Sequence, residues 1–166
     1  MKKCLLISVL SLVLVVVWGV EGSAQTKKEI TIPGTHYNST TSKVIQIDPD
    51  RVVVQTDLMG LRVNDSGEGP FHAVSVHLAG VAYRSKGYNL FRGYETWIDK
   101  DGDKVIWELG DTPPGATSST AKLIEGTGKY AGWQGALEYT LQFPKAFPEG
   151  TGRIIARVTA KFVIPQ

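Results

Sequence analysis

The feature that constrains this chain most is a period of two through its last third. Trp133, Leu137, Tyr139, Leu141 and Phe143 fall on one side of an extended segment, and Gln134, Glu138, Thr140 and Gln142 on the other. Ile154, Ala156, Val158, Ala160, Phe162 and Ile164 then alternate with Arg153, Arg157, Thr159 and Lys161. Successive side chains of a strand point to opposite faces, so this pattern specifies one dry face and one wet face. A helix would repeat its apolar residues three and four apart, and no segment beyond residue 24 does so convincingly. A one-faced sheet buries its dry side by packing on a second sheet or by closing on itself.

The rest of the chain reads the same way. Val44, Ile45 and Ile47 open a strand that Asp48-Pro49-Asp50 ends, and Val52, Val54 and Leu58 alternate with Gln55 and Asp57. Asn64 to Pro70 is a loop by composition. Phe71–Arg84 and Tyr88–Ile98 are long strands, Val105–Leu109 pairs back on the second of them, Asp111–Gly115 turns, and Ala121–Ile124 is short. The polar stretch Gln25–Ser42, with apolar beats at Ile30 and Ile32, reads as an arm or an edge strand. The expected architecture is all-β: a polar arm over 25–42, then a single antiparallel barrel of roughly eight strands over 43–166. Closure into a barrel removes exposed edges.

Residues 1–24 read as an address. Lys2 and Lys3 precede an apolar run from Leu5 to Trp18, and Gly22-Ser23-Ala24 offers the small residues of a signal-peptide cleavage site. The run falls short of the roughly 20 residues of a spanning helix. Cleavage after Ala24 is expected, leaving no stable membrane anchor and a secreted or periplasmic protein. Cys4 leaves with the leader, so the exported chain has no cysteine and must hold itself by its core alone. Eighteen basic residues against sixteen acidic ones give a net charge of +2, which offers no electrostatic footprint for nucleic acid.

Two motifs invite a chemical reading. Asp99-Lys100-Asp101-Gly102-Asp103 starts like a calcium loop, but the sixth position is Lys104 and the twelfth is Gly110, where Gly and a bidentate Glu are needed. A hairpin turn explains it better. The glycine cluster Gly126-Thr127-Gly128-Lys129-Tyr130-Ala131-Gly132-Trp133-Gln134-Gly135 opens no helix, so it is not a dinucleotide fingerprint. Tyr130 after Gly128-Lys129 excludes a phosphate-binding P-loop. The two motifs, in this order and with Glu149-Gly150-Thr151-Gly152 before the last strand, resemble bacterial secreted proteins of the allene oxide cyclase barrel-like group, related to the calycin and dirigent type of barrel. The resemblance covers roughly Phe71 to Lys161. It implies an eight-stranded antiparallel barrel and no established activity. Plant cyclases and dirigent proteins of this fold act on small apolar molecules inside the barrel, but none of their functional residues matches a position here.

A turn at Asp99–Asp103 sets Trp97 opposite Val105 and Glu95 opposite Trp107. Glu95 would then lie among Phe91, Trp97 and Trp107, where a carboxyl has a raised pKa and serves as acid or base. A solvated face, or a partner such as Arg84 or Arg92, is the plainer reading. Tyr88, Leu90 and Tyr94 make the opposite face apolar too, and a slip of one residue reverses the faces. His77 shares a row with Ala73, Ser75, Ala79, Val81 and Tyr83: a ligand contact if that row points inward, a satisfied interface histidine otherwise. A strand apolar on both faces is covered on both, which in a barrel means an interior plus either a subunit interface, as in a homo-oligomer, or a covering arm. Three scattered histidines supply no metal site, no nucleophile elbow is present, and no cofactor is expected. The expected function is binding of a small apolar molecule in the lumen. The alternatives are a cyclase or isomerase with Glu95 or His77 as acid–base, and a purely structural or assembly barrel with a filled lumen.

Overall fold

The computed structural model describes residues 27–111, 116–144 and 151–166. The expected leader and most of the expected turn at Asp111–Gly115 lie outside the described residues. The strands are β1 (Lys28–Asp48), β2 (Arg51–Asn64), β3 (Val74–Ser85), β4 (Tyr88–Ile98), β5 (Lys104–Leu109), β6 (Ser118–Gly126), β7 (Gln134–Gln142) and β8 (Thr151–Ile164). Each pairs antiparallel with the next, and β8 returns to β1, so the sheet is the expected closed eight-stranded barrel.

The polar N-terminal stretch is not an arm. From Lys28 to Thr41 it pairs with β8, and from Gly34 to Asp48 it pairs with β2, so the barrel begins at residue 28 rather than 43. Closure requires a strand between β2 and β8, and this one qualifies because the interior at its level is polar: His36 and Asn38 are buried while Tyr37 and Ser39 face out.

Phe71–Ala73 does not extend β3 either. Phe71 and Ala73 have φ of 60° and 54°, a conformation that costs a bulky residue energy. The bend carries the Phe71 ring under the barrel, where it stacks on Tyr130 at 4.5 Å and on Phe162 at 4.9 Å. Trp97, Trp107 and Trp133 complete this aromatic floor, with centroids of neighbouring rings 5.0–6.0 Å apart.

The two motifs form one lock at the same end. Asp99 Oδ1 accepts the amides of Asp101 and Asp103 at 2.8 and 3.0 Å, closing the expected turn. Its Oδ2 accepts the Tyr130 hydroxyl at 2.8 Å and pairs with Lys129 Nζ at 2.6 Å. Lys129 also reaches Asp101 at 2.6 Å, and Thr127 Oγ1 accepts the Lys104 amide at 2.8 Å. Burial alone would raise the Asp99 pKa, but the hydrogen bonds from Lys129, Tyr130 and the two amides outweigh it and hold the group at about 2. Gly128 is needed here: its φ is +52°, and a Cβ would sit 1.8 Å from Asp103 Oδ1.

Candidate functional site

Glu95 pairs with Trp107 and Trp97 with Val105, the register that the turn implies. Phe91, Glu95, Trp97 and Trp107 therefore share the inner face, but at different depths. Trp97 (1% exposed) and Trp107 (0%) belong to the aromatic floor, whereas Phe91 and Glu95 line open space above it. His77 does not belong to this site. The inward row of β3 is Val74, Val76, Leu78 and Ala82, which puts His77 on the outer face. There its side chain is 45% exposed and its Nε2 lies 3.2 Å from Asp57 Oδ2. No other described residues cover the outer row of β3, and Val81 is about half exposed.

Above the floor lies a cavity of about 500 Å³. Its walls are mostly apolar: Leu58, Leu78, Phe91, Leu137, Leu141 and Val158 are typical. Gly80 stands opposite Gly93, and both have the inward parity. The Phe91 ring lies over Gly80, where a Cβ would come within 2.4 Å of it. The missing side chains leave room for the ring and for the open lumen. His36, Asn38 and Glu95 stand at the base, and Arg84 and Asn89 at the mouth.

The base is a buried polar cluster built from three strands. Arg62 Nη1 lies 3.2 Å from His36 Nε2. A guanidinium only donates, so Nε2 accepts and the neutral imidazole carries its proton on Nδ1. That Nδ1 faces Glu95 Oε1 at 3.6 Å, and Trp97 Nε1 donates to the same oxygen at 2.5 Å. Arg62 Nη2 donates to the Ile32 carbonyl at 2.9 Å, and the guanidinium lies 4.5 Å from the centroid of the Trp97 ring.

Burial decides the ionisation of all three groups. It pushes the Glu95 carboxyl up to about 7, against the opposing pull of the Trp97 N–H and the Arg62 charge. It holds the His36 imidazole well below its usual range, and Arg62 adds to the effect. It lowers Arg62 to about 10, opposed by Glu95 and then Asp65. Near neutral pH the cluster holds a charged guanidinium, a neutral imidazole and a carboxyl poised between its two forms. Such a carboxyl can give or take a proton at the base of a mostly apolar cavity. Asn38 Oδ1 and Asn89 Oδ1 are buried and lack a hydrogen-bond partner in the protein, so a ligand's donors would satisfy them.

His36, Asn38 and Arg62 do not emerge from the sequence reading. One signal was present: His36, Asn38 and Thr40 alternate with Tyr37 and Ser39, and Arg62 and Asn64 share the parity of Leu58. Polar residues on the inward row imitate a loop.

Fold and site together define a closed antiparallel barrel, packed solid at one end and, among the described residues, open at the other, with a polar cluster between. No family model matches the chain, and no curated protein does. Among solved structures it is similar to the pterocarpan synthase dirigent protein GePTS1 (TM-score 0.49, 11% identity, 82% of this chain and 92% of that one). It is also similar to the pterocarpan synthase dirigent protein PsPTS1 (TM-score 0.45, 11% identity, 84% and 96%). At this identity no cavity residue is carried over from either.

Proposed function

We propose that this chain is an exported β-barrel that holds a small, largely apolar molecule in its lumen. The observation that carries the reading is the cavity of about 500 Å³, apolar in its walls and closed at its base by His36, Asn38 and Glu95. Apolar pockets with a few placed polar groups are the usual form of small-molecule sites. A purely structural barrel has no use for an open half, which favours binding over assembly alone. N-phenyl-1-naphthylamine is expected to bind with micromolar affinity, gaining emission as it quenches tryptophan. Ala82→Trp, which fills the lumen from β3, is expected to abolish binding while thermal unfolding stays cooperative. No binding to the wild-type protein, or equal binding to Ala82→Trp, would sink the reading.

Export is part of the proposal and rests on the charged start, the apolar run and Gly22-Ser23-Ala24. Intact-mass analysis of protein expressed with its leader should give a chain starting at Gln25. A full-length form held in the membrane would count against it. Self-association through the uncovered outer row of β3 is compatible with the lumen site, since that row faces away from it.

One observation favours a second reading, an isomerase or cyclase: the Glu95 carboxyl, poised near neutrality, borders the cavity beside a neutral His36. In that case Glu95→Gln would keep probe binding and lose turnover. His77, on the outer face, has no part in it.

A further inference from the structure

We infer that the molecule held in the lumen is an amphiphile with one anionic end, and that Arg84 at the cavity mouth receives that end. This inference rests on the lumen-binding reading above and names the ligand class. Arg84 continues the inward row of β3 beyond Leu78 and Ala82, and it lines the cavity. The inward positions of β7 and β8 that line the cavity are apolar: Leu141 and Ile154 are among them, and Phe143 follows just beyond β7. A guanidinium in a row that is otherwise dry contributes nothing to the core, so its place there calls for a partner.

The described residues give it none. Arg84 forms no ion pair among them, and three of the nearby acids are engaged elsewhere. Asp48 holds Arg51, Asp57 holds His77, and Asp111 holds Arg92. Among the described residues this exposed charge is therefore uncompensated, and it can draw an anion to the mouth of the cavity. Guanidinium donors match a carboxylate in forked geometry. Asn89, the cross-strand partner of Arg84, also lines the mouth, and its side-chain NH2 group is a donor. Its amide offers a second polar contact to the same end of a ligand.

The depth of the polar groups fixes the direction. Arg62 is fully buried, does not line the cavity, and already donates to His36 and to the Ile32 carbonyl. The group that meets the ligand at the base is Glu95, which would repel an anion when ionised. The apolar body therefore lies inward, toward Leu58 and Leu78, and the anionic end lies outward at Arg84.

Decanoate and decanol share a chain and differ at one end, so they test this as competitors against bound N-phenyl-1-naphthylamine. Decanoate is expected to displace the probe from wild-type protein at a concentration about tenfold lower than decanol, the gain expected from a charge-assisted contact. Arg84→Met should remove that advantage and leave decanol unchanged; Arg84→Lys should keep part of it; added salt should shrink it in the wild type. Equal ranking of the two competitors in wild type and Arg84→Met, with the probe still bound, overturns the inference and leaves the lumen reading standing. Failure of the probe itself to bind overturns both.

Discussion

Truncation of Trp107 to alanine is expected to remove about 3–5 kcal/mol of stability, a large share of what a domain of this size holds. Trp107 is completely buried, 5.0 Å from the Trp97 ring and 5.4 Å from Phe162 by centroid, so the vacated volume borders other rigid rings that cannot collapse into it. Trp107→Phe separates packing from polarity. The indole Nε1 is buried without a hydrogen-bond partner, and an orphaned donor costs about 1–3 kcal/mol. Phenylalanine loses some volume but sheds that donor, so its cost should be far below that of alanine. Urea unfolding at constant slope checks both. A loss under about 1 kcal/mol for Trp107→Ala would show that the floor is not the core described here.

This floor and the open lumen above it explain how much could be read from the sequence. The alternation in β7 and β8 is legible because the interior at those strands is apolar and the exterior polar, so parity alone orients every side chain. The register of Glu95 against Trp107 is legible because a short turn fixes it locally. β1 is not legible, because its inward row carries His36 and Asn38 while Tyr37 faces out. The usual sign of inside and outside is reversed there. Phe71 continues an apolar run in sequence but leaves the sheet, since its partners Tyr130 and Phe162 are distant along the chain. His77 could not be oriented, because both rows of β3 are weakly polar and only the burial of Leu78 and Val76 decides between them. The cluster at the base depends on contacts between β1, β2 and β4, which no local pattern announces.

That cluster is expected to give the protein two pH responses of opposite sign. Glu95 has a pKa raised to about 7 from an ordinary 4.5, so between these values the folded state binds a proton that the unfolded state releases. Its stabilisation is complete below about pH 4.5 and is lost as pH rises through 7. His36 works in the other direction. Its imidazole stays neutral in the fold well below 6.5, so its contribution is present above pH 6.5 and is lost as pH falls. The Glu95 response is worth about 1.4 kcal/mol per pH unit between its two pKa values, and the His36 response opposes it below pH 6.5. In the wild type the two slopes should therefore offset one another just below pH 6.5. Glu95→Gln, which keeps an acceptor for Trp97 Nε1, should uncover His36: stability then rises with pH up to about 6.5. His36→Gln should uncover Glu95: stability then falls as pH rises from 4.5 to 7. Asp99 does not blur the comparison, because its own loss falls between pH 3.8 and about 2. Denaturant midpoints measured across pH 4–8 for the three proteins decide it. Parallel profiles would mean that the proton does not reside on Glu95. The opposite pair of slopes would mean that the cluster holds its charge on the imidazole, and the base of the cavity would then present an ion pair to whatever enters.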